Sequence, residues 1–223
     1  MAARVISGKA KGKRLKLVPG DTTRPIMDRV KESLFNILGD VGDTRWLDLF
    51  AGTGQVGIEA LSRGAAAVVF VDSARAAVQT VRDNLAFTRL SEGARVVQSD
   101  AFRYLREGGE RPFDVVFIAP PQYKELWIAA LTAIDAAADR YLSADGQAIV
   151  QIDPREFKEL PLQQLALADK RRYGSTLLCF YQRARATNYE LQTTNDERRT
   201  TNYELRTTNY ERRAYHRPTT NDH

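Results

Sequence analysis

Short apolar runs alternate along this 223-residue chain with longer stretches in which apolar residues recur at helical spacing. Trp46-Leu47-Asp48-Leu49-Phe50 is the first compact run and predicts a buried strand. A glycine-punctuated turn follows it, then a helix from Gln55 to about Arg63. Residues 67–72 predict a second strand, and residues 74–90 a helix with Ala77, Val81 and Leu85 on one face. Residues 95–100 and 113–119 read as strands three and four. A long helix is expected from Lys124 to about Arg140, and strand five over residues 147–152. Residues 165–172 and 175–182 meet at Gly174 and predict an antiparallel closing pair. Seven strands interleaved with helices specify an α/β fold with a mostly parallel sheet.

The flanks follow different patterns. Val5-Ile6 and Leu15-Lys16-Leu17-Val18 predict a small hairpin about a Gly/Lys-rich turn, closed by Pro19-Gly20. Thr22-Thr23-Arg24-Pro25 is a polar loop, and Asp28 is placed to cap a helix through Leu38. Val30, Leu34, Ile37 and Leu38 form its apolar stripe. Three parts are therefore expected: a basic extension over 1–43, the main domain over 44–183 and a tail over 184–223. In the tail Thr193-Thr194-Asn195-Asp196-Glu197-Arg198-Arg199 recurs twice in modified form, at Thr200 and at Thr207. A period of seven suggests a coiled coil, but Tyr203 and Leu205 are two apart and make no seam. The tail's polar composition predicts disorder and no part in catalysis.

Composition narrows the chemistry. An apolar fraction of 43% supports a real core. No run reaches the roughly 18 apolar residues of a membrane span, so a soluble protein without membrane partners is expected. A basic N-terminus without an apolar stretch behind it predicts no secretory signal. The single cysteine, Cys179, lies in an apolar run, is expected to be buried and inert, and fits a reducing, cytoplasmic compartment. Both histidines, His216 and His223, fall in the tail. Histidine-based nucleophile systems and His-ligated zinc are thereby excluded from the body, and no metal site is expected. The net charge is +5, and Arg4, Lys9, Lys11, Lys13, Arg14 and Lys16 crowd into an opening stretch free of acids. Such a stretch is either a solvated basic edge or an arm for phosphates.

The candidate chemistry lies where predicted strands end, the ligand edge of an open α/β sheet. Gly52-x-Gly54-x-x-Gly57 permits a tight turn with a ligand close to the backbone, a pattern shared by dinucleotide oxidoreductases and methyltransferases. Asp72 ends strand two, 20 residues beyond Gly52, where a carboxylate can accept both hydroxyls of a ribose or cap the next helix. Asp100, followed by Ala101 and Phe102, ends strand three and could hold an adenine amino group with Phe102 packed nearby. Ala119-Pro120-Pro121-Gln122-Tyr123 ends strand four. Its prolines fix the backbone and leave carbonyls free, with an aromatic just behind.

With these segments in hand, the chain resembles the RsmD family of S-adenosylmethionine-dependent methyltransferases, which modify a guanine N2 in bacterial small-subunit ribosomal RNA. The resemblance spans residues 4–183. Its carriers are Arg4-Val5-Ile6-Ser7-Gly8, Thr23-Arg24-Pro25, the Asp28 helix through Asn36, Leu47 to Gly54, and Glu59-Ala60-Leu61-Ser62-Arg63-Gly64-Ala65. It implies a Rossmann-like class I methyltransferase fold and S-adenosyl-L-methionine as cofactor. Asp48, Phe50, Ala51, Gly52, Thr53 and Gly54, with Gly57, would hold its methionine part, Asp72 the ribose, and Asp100, Ala101 and Phe102 the adenine. Arg24 would lie near the cofactor or the incoming base. Arg4, Lys9, Lys11, Lys13, Arg14, Lys16 and Arg29 would meet 16S rRNA or the assembling small subunit, and the enzyme would act as a monomer.

The catalytic segment would be Ala119, Pro120, Pro121, Gln122 and Tyr123. The family's motif begins with an acid that accepts from the guanine amino group; here Ala119 stands in that place. The carbonyls remain, and Gln122 can supply an amide oxygen instead. Methyl transfer from a sulfonium depends mainly on positioning, so activity is expected without the acid. The rivals are a methyltransferase for another nucleic acid or a protein, a non-catalytic RNA-binding relative, and a nicotinamide oxidoreductase. The double proline and the terminal hairpin count against the last.

Overall fold

A computed structural model describes residues 3–20, 26–108 and 111–184. The chain runs α1 (Asp28–Leu38), β1 (Arg45–Asp48), α2 (Gln55–Ser62), β2 (Ala67–Asp72), α3 (Arg75–Thr88), β3 (Ala94–Gln98) and α4 (Ala101–Glu107). It continues β4 (Phe113–Ile118), α5 (Leu126–Asp135), α6 (Ala138–Tyr141), β5 (Leu142–Ile152), a 3-10 turn (Pro154–Glu156), β6 (Leu165–Tyr173) and β7 (Thr176–Arg183). The seven strands form one sheet in the order β3-β2-β1-β4-β5-β7-β6. The first five are parallel, and β7 runs antiparallel between β5 and β6. The α/β fold and the closing antiparallel pair are as expected from sequence.

Alternate residues of each central strand feed two cores. Trp46, Phe70, Val115 and Phe117 face α1, α2 and α3, while Leu47, Val69, Val71 and Val116 face α4, α5 and α6. Burial on both faces explains why these strands read as continuous apolar runs rather than alternating ones. The chain leaves β1 toward β2 on one side and takes up β4 on the other. The crevice between the ends of β1 and β4 is therefore the switch point at which such sheets bind ligands.

Residues 3–18 do not form two regular strands. A single antiparallel bridge joins Arg4 to Arg14, supported by backbone bonds from Val5 to Lys13 and from Leu15 to Ala3. What holds this arm is α2. The buried Glu59 accepts the N–H groups of Ile6 (2.7 Å) and Ser7 (2.9 Å) and pairs with Arg63 and the fully buried Lys31. Ser62 accepts from Ala10 N–H and donates to the Ser7 carbonyl. Gly8, at φ 79°, lies so close to the Ser62 carbonyl that a Cβ would sit 1.8 Å from its oxygen. Only glycine fits there. Burial lowers the Lys31 pKa from its ordinary value, opposed by the Glu59 charge.

Several local expectations are corrected. Asp28 does not cap α1; it is the helix's first residue and pairs with Arg4 at 2.8 Å, while Met27 occupies the cap. The buried stripe of α1 is Val30, Lys31, Leu34 and Phe35, and Ile37 is exposed. The long helix expected after Lys124 breaks at Ala136-Ala137 into α5 and α6, a break that two alanines do not announce. Strand five begins at Leu142, earlier than expected, because the polar Ser143–Gly146 stretch joins the sheet through an irregular register against β4. Helix α4 went unpredicted; at seven residues, with only Ala101 and Leu105 buried, it has too little periodicity to read. The tail over 184–223 lies outside the described residues but for Ala184.

Candidate active site

The loop after β1 combines three glycines with different jobs. Gly52 sits at φ 52° with open space where a side chain would project, leaving the backbone bare to a ligand. Gly54, at φ 74°, turns the chain into α2 and packs against Val81. Gly57 lets α2 close on β2, since a Cβ there would lie 2.3 Å from the Phe70 ring.

Two carboxylates hold this loop. Asp72 accepts from Gly52 N–H through Oδ2 and from Ala74 N–H through Oδ1, both at 2.9 Å. It ties the loop to the end of β2 and is not the N-cap of α3, a position held by Ala74. Asp48, at the end of β1, lies beneath the first turn of α2 and accepts only a 3.3 Å bond from Gly57 N–H. Burial, helped by the nearby Asp72 charge, pushes its pKa up to about 7. At the first residue of α2, the buried Gln55 Oε1 has no hydrogen-bond partner among the described residues. Two buried acceptors short of donors, under an open glycine backbone, fit a cationic ligand group. That is the demand that S-adenosylmethionine, with its ammonium and sulfonium, would meet.

The Asp48 shift has a consequence for stability. The penalty for burying this carboxylate is absent below the ordinary pKa of 3.8, grows as pH rises, and is complete above about 7. Asp48→Asn is therefore expected to melt higher than wild type in cofactor-free protein at pH 8, with the gap closing toward pH 4. Thermal melts across that range check the sign, and a gap that widens on acidification refutes it.

At the end of β3, Asp100 caps α4, one oxygen accepting from Phe102 and Arg103 N–H at 3.0 Å each. Its other oxygen stays available to a ligand. Ala101 is buried, and Phe102 packs against the α4–α5 core. A hollow of about 710 Å3 opens beside Ser73, Ser99 and Asp100, then runs along α4 away from the glycine loop. Of the three residues expected at the adenine, Asp100 lines it and Ala101 and Phe102 do not.

Across the crevice, β4 gives way to Ala119-Pro120-Pro121. Leu49 N–H donates to the Phe117 carbonyl at 3.0 Å, so the two strand exits lie side by side. Ala119 is half-buried against the core, Pro120 is buried, and Pro121 and Gln122 are exposed. Gln122 has no hydrogen-bond partner among the described residues. Tyr123 stands at φ 60° with 60% of its surface exposed. Sequence reasoning missed what fixes it there. Its N–H donates to Glu156 (2.7 Å), its hydroxyl donates to Asp153 (3.0 Å), and Arg155 donates to that hydroxyl (2.7 Å). Asp153-Pro154-Arg155-Glu156 is a capping box, readable in principle from its acid-x-x-Glu spacing. The Arg155 guanidinium holds the Asp153 carboxyl well below the usual range. The structure thus places an exposed tyrosine, immobilised through its hydroxyl, just beyond the exit of β4.

The cations are divided in use. Lys13 caps the end of α3 through the Phe87 and Thr88 carbonyls, Lys16 pairs with Asp83, and Arg4 pairs with Asp28. Lys9, Lys11, Arg14 and Arg29 are exposed and make no ion pair among the described residues. Arg24 and its Thr-Thr-Arg-Pro loop lie outside the described residues. Among the described residues no cluster of side chains could hold a metal ion, and no helix is long and apolar enough to cross a membrane.

The chain is similar to known proteins in sequence and in fold. A family model described as "Conserved hypothetical protein 95" matches residues 3–182. YlbH of Bacillus subtilis is 43% identical over 185 residues, covering 81% of this chain and 98% of that one. Ribosomal RNA small subunit methyltransferase D of Escherichia coli is 43% identical over 119 residues, 53% of this chain and 59% of the other. Among solved structures, yhhF of Escherichia coli superposes with a TM-score of 0.71 at 32% identity, covering 83% of this chain and 100% of that one. The mostly parallel sheet with its reversed β7, together with these relatives, makes the protein a class I S-adenosylmethionine-dependent methyltransferase. Within that class, the chain belongs to the Conserved hypothetical protein 95 family and is closely related to the RsmD enzymes.

Proposed function

We propose that this enzyme transfers the methyl group of S-adenosylmethionine to the exocyclic N2 of one guanine in bacterial 16S rRNA. It would work in the cytoplasm as a monomer, on the rRNA or on the assembling small subunit. The observation that carries this reading is the exposed, pinned Tyr123 ring beside Ala119-Pro120-Pro121, across the crevice from the glycine loop. An exocyclic base atom is reached by taking the base out of its stack and holding it against an aromatic side chain. The name of the Escherichia coli relative, a small-subunit rRNA methyltransferase, points the same way.

The cofactor supplies an electrophilic methyl on a sulfonium; the protein's part is geometry. Tyr123 would stack on the extruded guanine. The Ala119 and Pro120 carbonyls would accept from its amino group, turning the nitrogen lone pair toward the methyl. As the N–C bond forms, the S–C bond breaks, and the surplus proton on nitrogen leaves to water. No histidine base is needed, which suits a body that has none. Residues 1–43 would act as the RNA-facing extension, with Lys9, Lys11, Arg14 and Arg29 meeting phosphates and the remaining cations securing the fold.

Ala119 favours a second reading, an RNA-binding relative that no longer transfers methyl. Transfer of radiolabelled methyl to rRNA separates the two, and mass mapping of methylated guanines from cells with and without the protein identifies the base. Ala119→Asp is expected to be neutral or faster, and Gln122→Ala slower. Unchanged turnover in Gln122→Ala dismisses the amide's role, and RNA binding without turnover in wild type establishes the second reading.

A further inference from the structure

The segment that pins Tyr123 also lines a second hollow. Asp153, Pro154 and Arg155, at the exit of β5, face Arg172, Gly174 and Ser175, at the tip of the β6–β7 hairpin, across about 310 Å3. Charge in this hollow is unbalanced. Arg155 is spent on Asp153, through Nε and Nη2 at 3.1 Å each, and on the Tyr123 hydroxyl. Arg172 donates through Nε to the Gly174 carbonyl at 3.2 Å, which steadies the guanidinium, and no acid pairs with it among the described residues. Gly174 leaves open space above its backbone, and the Ser175 hydroxyl is exposed beside it. A steadied, uncompensated guanidinium, a hydroxyl and a bare turn suit a singly charged oxyanion.

We infer that this hollow between the β5 exit and the hairpin tip is a phosphodiester subsite for the RNA strand next to the extruded base. Arg155 joins the two parts, one nitrogen on the Tyr123 hydroxyl and the rest of the side chain on the hollow's wall. A base stacked on Tyr123 thereby has a phosphate seat within one side chain's reach. The subsite rests on the RNA-methylating function proposed above. It adds a second anchoring point for the strand, on the β6–β7 hairpin rather than on the arm with Lys9, Lys11 and Arg14.

The test is methyl transfer to ribosomal RNA measured across a range of KCl concentrations. Arg172→Ala is expected to raise KM for RNA roughly 3- to 10-fold. It should also make the dependence of log(kcat/KM) on log[salt] shallower by about 0.7 to 1, one counterion fewer. Arg172→Lys keeps the charge and should restore the slope. Tyr123→Phe loses the hydroxyl anchor and should lower kcat with the slope unchanged, since no cation has been removed. A wild-type KM and slope in Arg172→Ala overturns the subsite alone. Wild-type protein that methylates no RNA overturns the functional reading and the subsite together.

Discussion

Tyr123→Ala is expected to cut methyl transfer to RNA by about 10- to 100-fold while cofactor affinity stays at the wild-type value. Stacking a base on an aromatic ring is worth about 1–3 kcal/mol, and a small misplacement of the acceptor atom costs a comparable factor. The ring is suited to this because its freedom is already spent. A backbone N–H and a hydroxyl fix it from two sides, against Glu156 and Asp153. Both contacts leave 60% of the residue's surface exposed. Removing the side chain touches neither the glycine loop nor Asp72, so calorimetric titration with S-adenosylmethionine should not move. A loss of cofactor binding equal to the loss of turnover would place Tyr123 in the wrong site.

The second large effect is on stability. Glu59→Ala is expected to lower the unfolding free energy by about 3–5 kcal/mol, the usual loss on breaking a buried ion pair from one side. Glu59 is fully buried and serves Lys31, Arg63 and two backbone N–H groups together. Its removal strands the Lys31 ammonium without its carboxylate and leaves two donors of the arm unmet. Against a typical total of about 5–15 kcal/mol this is a large fraction. Denaturant titration gives the magnitude, and limited proteolysis within residues 3–18 reports whether the arm has come off α2. Stability within about 1 kcal/mol of wild type would mean that the pairs among Glu59, Lys31 and Arg63 do little for the fold.

The sheet was legible in the sequence because its strands are buried on both faces and so appear as unbroken apolar runs. The glycine loop was legible for a related reason: positive φ and close approach demand a residue type that stands out. What stayed hidden has a common cause. Lys31 and Glu59 are charged residues that local pattern assigns to the solvent side of their helices, and their burial follows from a partner 28 residues away in the chain. Lys13 and Lys16 look like free cations until α3 is brought beside them. Tyr123 was legible as an aromatic behind two prolines, but its anchors lie 30 to 33 residues on, in a capping box of a three-residue turn. Local pattern announces elements; it does not announce which polar groups the fold will bring together.

The position of β7 bears on how the molecule comes into being. It is the last strand along the chain, yet it lies inside the sheet, with β5 on one side and β6 on the other. During synthesis β5 and β6 both emerge before the strand that joins them, so the nascent sheet carries an unpaired edge at β5 until Arg183 is free. Exposed strand edges recruit other chains. Aggregation during production should accordingly be governed by the last stretch translated before the tail. A stop codon within β7 would do more harm than one beyond Ala184, because it would leave β5 and β6 both bare.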